Sequence, residues 1–354
     1  SLVWAGEFAA TEDGLAQFSA LLAQHRRTPV TLMADSVDED YRLENLPHAS
    51  GRARQELQER KLRQFFRNAP FTAAIVQGRN REGRKDDRTL MVALTDSDWL
   101  QPWIRLIQQH QLPFTGLSLL ALASENLLSR LKPQDAHVLL ASQQSAGLRL
   151  SYFQNGRLRF SRLTRWDSAH STQLNVADEV SRTQLYLASQ RIMPRDARLT
   201  VLLLDFSASF ATAQASLNAD PQFDTRLITP EQIGQRLSIP VQLVVNAPET
   251  AFLAALPARC VNLAPRAYSA SYQRHLARRG LAAAGVAVLA ASAAEAGLNW
   301  LQIRGDRAKM QSLEASIRQD EALHRETLRQ LPRVPLSAES LTRVAESVRQ
   351  IETM

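Results

Sequence analysis

Hydrophobic positions along this chain follow two periods in turn. Short apolar runs at Val30–Ala34, Phe71–Val76, Leu90–Leu94, Val138–Ala141, Leu199–Leu204 and Val241–Val245 have the length of buried strands. Among them, Gly14–His25, Gly51–Arg67, Ser97–His110, Leu120–Leu131, Val176–Ile192 and Ser209–Asn218 carry apolar residues three or four apart, the spacing of one helix face. In the fifth of these, Val176, Val180, Leu185 and Leu187 fall near one face and Asp178, Glu179 and Arg182 elsewhere. Strands alternating with helices predict an α/β domain. Leu148, Leu150 and Tyr152 alternate before Gln154-Asn155-Gly156, and Leu158 and Phe160 after it. That pattern predicts a β-hairpin, because Asn-Gly accepts the positive φ angles of a tight turn.

Beyond residue 260 the pattern changes. Val261-Asn262-Leu263-Ala264-Pro265 leads to Arg274, His275, Arg278 and Arg279, and then to a run of small and apolar residues from Gly280 to Ala291. About 20 mostly apolar residues cross a bilayer as a helix, so 280–300 is expected to be a transmembrane helix. Arg274, Arg278 and Arg279 beside it place the large N-terminal portion in the cytoplasm. Ser292, Glu295 and Asn299 interrupt the far half, which keeps a soluble alanine-rich helix as the alternative. Gly285 and the alanines offer small faces for helix pairing, with Glu295 at the interface or as a polar contact to a partner span. From Ile303 to Leu331 the chain is polar and helix-favouring, with Met310, Leu313 and Ile317 on one side but heptads failing at Asp320 and His324. After Pro332 and Pro335, Ser337 opens an amphipathic helix with Leu341, Val344, Val348 and Ile351 on its apolar face.

The composition suits a folded protein, at 354 residues, 45% hydrophobic and 22% charged. The net charge of +7 is spread along the chain, without a basic stripe or interleaved stacking aromatics, so nucleic acid is not the expected partner; an anionic lipid surface attracts the same charge. Cys260 is the only cysteine and reads as a buried small residue. No secretory signal peptide opens the chain, and a start at Ser1 is read as processed or truncated.

Catalytic chemistry is not visible. The seven histidines, including His170, are scattered; GxxxxGK[ST] and GxGxxG motifs are absent, and no metal ligand set is expected. Asp38-Glu39-Asp40 and Asp86-Asp87 sit among turn-forming or charged residues and read as solvated loops. The helix 51–67 carries Arg52, Arg54, Arg60, Lys61, Arg63 and Arg67. It is either a partner-binding face or an amphipathic helix resting on Leu57, Leu62, Phe65 and Phe66. The basic stretch Gly78–Arg88, which includes Arg81, reads as an exposed loop that could meet lipid head groups or a partner.

With these elements in this order, the chain resembles the actin-like PilM family of bacterial type IV pilus and type II secretion platforms, which includes the secretion L component GspL and MshI. The likeness runs through Trp103–Leu119, where Gln-His-Gln leads to Leu112-Pro113-Phe114-Thr115-Gly116-Leu117, then the helix 120–131 and the strand and hairpin 136–163. Residues 261–265 resemble the cytoplasmic tail of the PilN partner, or the juxtamembrane part of the secretion L component. The resemblance implies an actin-like, ribonuclease H-like two-lobed domain over 1–270 (lobes 1–132 and 133–270). A transmembrane helix over 280–300 and a periplasmic helical stalk over 302–354, or the start of a PilN-like domain, follow. ATP-binding members place an Asp-Ile-Gly type phosphate loop after the strand opening the second lobe. Here the matching residues are Ala141, Ser142 and Gln143, followed by Gln144, Ser145, Ala146 and Gly147. The acid that would hold magnesium is missing, so no cofactor is expected, and the function implied is a non-catalytic inner-membrane scaffold coupling a cytoplasmic assembly ATPase to periplasmic components. Expected partners are PilN/PilO or secretion M-type proteins, anionic lipid and a second copy. An ATPase or kinase of the actin superfamily, with ATP bound, is the alternative.

Overall fold

A computed structural model describes residues 5–25, 28–80, 83–165, 175–257, 260–330 and 337–351. By internal contacts the chain divides into Ser1–Ala277 and Arg278–Met354. The first unit begins with α1 (Glu12–Gln24), capped by the Thr11 side chain. β1 (Val30–Ala34) pairs in parallel with β5 (Phe114–Leu119). β2 (Glu39–Leu46), β4 (Asp87–Leu94) and β3 (Phe71–Arg79) form an antiparallel sheet with β4 in the middle. Leu90–Leu94 are fully buried because β4 is covered on both faces. Leu90, Val92 and Leu94 enter the main core, while Met91 and Ala93 meet α2 (Gly51–Phe65) through Leu57, Leu62, Phe65 and Phe66. α3 (Gln101–Gln109) leads into β5, and α4 (Leu120–Leu131) is buried along most of its length.

In the second half, β6 (His137–Gln144), β7 (Gly147–Gln154) and β8 (Arg157–Thr164) run antiparallel, and β9 (Leu199–Leu204) and β10 (Phe223–Ile228) join parallel to β6. The order β10-β9-β6-β7-β8 is that of an actin-like, ribonuclease H-like sheet. Asn155 and Gly156 close the β7–β8 hairpin with φ of 51° and 72°, as the Asn-Gly signal required. One face of this sheet joins α4 in the main core through Leu140, Phe153, Leu202 and Leu204. The other is covered by α5 (Val176–Ser189) and α6 (Ala211–Asn218), against Leu139, Leu150, Val201 and Leu203.

Several expectations are corrected. Val241–Val245 is not a strand but α8 (Val241–Asn246), between α7 (Pro230–Leu237) and α9 (Glu249–Ala255). Pro240 stands at its N-cap, and of its valines only Val244 is fully buried, with Val245 exposed, as a short helix resting one face on the core requires. Glu39 and Asp40 open β2 instead of lying in a solvated loop, and Asp87 opens β4. Only the two ends of the basic stretch Gly78–Arg88 are ladder, since Gly78 pairs with Arg88 and Arg79 with Asp87, while Gly83, Arg84 and Lys85 are exposed between the strands; Arg81 lies outside the described residues, as does His170. Cys260 is half-buried, and burial pushes its thiol up.

Asp87 shows why the acidic pair was misread. Its side chain is only 7% exposed, because His48 Nδ1 approaches to 2.9 Å, Arg79 Nε to 3.2 Å and Arg54 to 3.9 Å. The His48 and Arg79 bonds hold its carboxyl below the ordinary 3.8. A depressed acid stabilises the fold above its unfolded pKa and loses that contribution as pH falls through the folded one. Melting curves of wild type and Asp87→Asn should therefore stay several degrees apart from pH 7 down to about 5 and converge below about 3.8.

One unbroken helix, α10 (Ala270–Gln330), starts at the end of the first unit and makes up most of the second, continuing through the expected span and the polar stretch beyond it. Leu331, Pro332 and Pro335 lie outside the described residues. α11 (Ala338–Ile351) is the expected amphipathic helix, with Leu341, Val344 and Val348 exposed.

Candidate functional site

The turn between β6 and β7 is where the resemblance puts a phosphate loop. Ala141 and Ser142 are buried in β6, where the sheet pairs them with Leu203 and Leu204 on one side and Leu150 and Arg149 on the other. The Ser142 hydroxyl accepts from Gln144 Nε2 at 2.7 Å, Gln143 pairs with Leu148, and Gly147 pairs with Gln144. A Cβ on Gly147 would fall 2.2 Å from the Thr164 carbonyl oxygen, so this glycine serves packing against β8. Ser145 donates from both its backbone N–H (3.0 Å) and its hydroxyl (2.6 Å) to the same oxygen of Glu249, at the start of α9. Both donors of Ser145 are thus taken by a carboxylate of the chain itself.

Beside this turn lies a buried cluster of charged side chains. Arg149, on β7, is 1% exposed and makes five hydrogen bonds. It donates to Asp35 Oδ1 (2.6 Å), to Glu39 Oε2 (2.8 Å) and Oε1 (3.0 Å), to the Ser36 carbonyl (3.1 Å) and to the Ser161 hydroxyl (2.9 Å). Tyr41 donates to Glu39 at 2.5 Å, and the Ser36 N–H to the same carboxylate at 3.1 Å. Asp35 and Ser36 come from the connection between β1 and β2 and Glu39 from the first position of β2, so one guanidinium joins the first half of the unit to the second. Burial pushes Asp35 and Glu39 above the ordinary carboxylate range while Arg149 pulls them back, and Glu249 adds to the upward push on Asp35. Burial works against Arg149's charge, but Glu39 and Asp35 outweigh it and raise its pKa. Among the described residues no three histidine, cysteine or acidic side chains converge as metal ligands.

A second feature is the segment that leads into α10. Leu263 is bonded on both sides, its N–H donating to the Leu117 carbonyl of β5 (2.7 Å) and its carbonyl accepting from Thr72 of β3 (3.1 Å). It therefore bridges the edges of two sheets. Asn262 Oδ1 accepts from the N–H groups of Leu117 (3.0 Å) and Ala264 (2.8 Å). This requires Gly116, whose φ is +145° and whose Cβ would stand 2.1 Å from Asn262 Oδ1. Leu263 is 2% exposed, Tyr268 packs on Phe71, and Ser271 accepts from the Phe114 N–H.

The other expected residues do not converge on these features. Arg274, Arg278 and Arg279 occupy the first turns of α10, and Glu295 is exposed further along it. An apolar window of that helix has mean hydropathy 1.7 and no burial, so by length and composition it can cross a membrane. On α2, Arg52 pairs with Glu56, Arg54 caps the Ala49 carbonyl, Lys61 lies over the Phe65 ring, and Arg60 and Arg63 are exposed. Asp35, Glu39, Arg149 and Glu249 escaped the sequence reading because their bonds span 104 to 114 residues. One signal was present: an arginine within a hairpin strand of otherwise uncharged residues.

Fold and site together define an actin-like α/β body with an internal ion cluster beside the turn between β6 and β7, followed by a helix able to cross a membrane. No family model and no curated protein matches the chain. Among solved structures it is similar to a PilM-PilN type IV pilus biogenesis complex (14% identity, TM-score 0.43, covering 69% of this chain and 85% of that one). It is also similar to a Bacteroides thetaiotaomicron protein with an actin-like ATPase fold (10%, 0.37, 69% and 82%). A third is the cytoplasmic domain of EpsL, an inner-membrane component of the Vibrio cholerae type II secretion system (15%, 0.33, 58% and 71%). At these identities and scores the likeness carries no argument about function, and the fold rests on the strand order.

Proposed function

We propose that this chain is a non-catalytic inner-membrane scaffold of a type IV pilus or type II secretion-like platform. Its actin-like body lies in the cytoplasm, α10 crosses the membrane, and the C-terminal helices stand in the periplasm. PilN/PilO or secretion M-type proteins and an assembly ATPase are its partners in this reading. The observation that carries it is the hold of Glu249 on Ser145, next to an Arg149 already matched to two carboxylates. A magnesium-bound triphosphate at this turn would have to displace one carboxylate and face the others. The bridging of β5 and β3 by Leu263 supports an anchoring role, because it ties the start of α10 into the sheets.

The test is equilibrium titration of the full chain in detergent with labelled ATP and magnesium. No saturable binding is expected up to about a hundred micromolar, a ceiling equivalent to roughly 5.5 kcal/mol of binding free energy. Micromolar affinity that vanishes in Ser142→Ala or Ser145→Ala would replace this reading with an ATPase or kinase.

A further inference from the structure

Two arginines of the first unit lack the anion their surroundings call for. Arg159, on β8, is 5% exposed, and its Nε is buried without a hydrogen-bond partner. Its one hydrogen bond among the described residues runs from Nη1 to Gln77 Oε1, at 2.8 Å. Gln77 is itself fixed by donating from Nε2 to the Leu158 carbonyl at 2.7 Å. A register shift between Val76 and Gly78 brings Gln77 to this position, the kind of re-aiming that bulges produce. The guanidinium of Arg88 lies against the next residue, 3.5 Å from where a Gly78 Cβ would stand, and its Nε too is buried and unpartnered. Both guanidinium groups thus flank the same two residues of β3.

The acid whose charge acts on Arg159 does not balance it. Glu125 is engaged by Arg157 at 2.6 Å and by the Leu158 N–H at 3.2 Å. Among the described residues, Arg88 and Arg159 form no ion pair with a carboxylate. A buried guanidinium cannot shed its proton, so without a counter-ion its charge stands uncompensated. Arg159, though not Arg88, also lines a cleft of about 670 Å³ bounded by β2, β8 and the end of α5, whose walls carry Arg42 and Arg191 as well as the acids Glu39, Asp40 and Glu44. A ligand therefore has a route to it.

We propose that Arg159 and Arg88, set about Gln77 and Gly78, bind a phosphate-type dianion that enters by this cleft. Two unmatched guanidinium groups suit two negative charges, and their N–H groups suit tetrahedral oxygens. The proposal is independent of the Ser145 turn and of whether that turn binds ATP.

The experiment measures melting of the full chain in detergent against inorganic phosphate, with chloride and acetate at matched ionic strength as controls. Phosphate should raise Tm saturably, and Arg88→Gln should weaken its apparent affinity about tenfold or more. Without phosphate, Arg88→Gln should melt at or above wild type, because it removes an uncompensated charge; saturating phosphate should reverse that order. AMP acting at lower concentration than inorganic phosphate would assign the site to a phosphoryl group on a larger molecule. Equal shifts in wild type and Arg88→Gln, or the same shift with chloride or acetate, would overturn the proposal. Arg159→Gln is a second probe with the same expected sign. Should it fail to fold, Arg88→Gln alone decides.

Discussion

Replacing Arg149 with methionine is expected to destabilise the body by about 3–5 kcal/mol, because it leaves Asp35 and Glu39 buried without their counter-charge. For a unit of this size that is a fall in Tm on the order of 10 °C. The variant Arg149→Lys should recover little, since an ammonium has three donors where the guanidinium places five hydrogen bonds in a fixed fork. Adding Asp35→Asn and Glu39→Gln to Arg149→Met should regain much of the loss, as neutral groups of similar size replace a buried charge cluster at little net cost. Denaturant melts of the four proteins check this. If Arg149→Met alone matches wild type, the cluster does not hold the two halves together.

The second large effect is expected at Gly116. A valine there meets Asn262 Oδ1 at a distance no Cβ tolerates, on a backbone with φ of +145° that β-branched residues avoid. Gly116→Val should expel residues 261–265 from between β5 and β3, and limited proteolysis should cut there at least about tenfold faster, equivalent to a local opening eased by about 1.4 kcal/mol. Asn262→Ala should show a weaker form of the same change, since it removes the acceptor for two N–H groups but leaves Leu263 in place. Cleavage elsewhere in the body, with this segment still protected, would contradict the assignment of Gly116 as the seat of Asn262.

Much of the fold was legible where burial and local periodicity agree. Leu199–Leu204 is a strand buried on both faces, and its unbroken apolar run says so; the Asn155-Gly156 turn specifies its own backbone. β2 was missed because Glu39, Asp40, Arg42 and Glu44 surround an alternation that only Tyr41 and Leu43 carry, with Leu46 out of phase with them. Val241–Val245 misled in the opposite direction. Valine favours strands on a pleated surface, but here Pro240 and the packing of α7 and α9 decide. The site was illegible for a different reason. A buried carboxylate looks like a solvated one until its partner is known, and Arg149 is supplied from more than 100 residues away.

The double bonding of Leu263 has a mechanical consequence. Were it hung on a single strand edge, a pull on the start of α10 could peel it away bond by bond. Clamped between β5 and β3, it meets force on two flanks at once, and the Asn262 side chain adds a third point of grip. Tension on the helix would then be shared among both sheets of the first half before any single contact gave way.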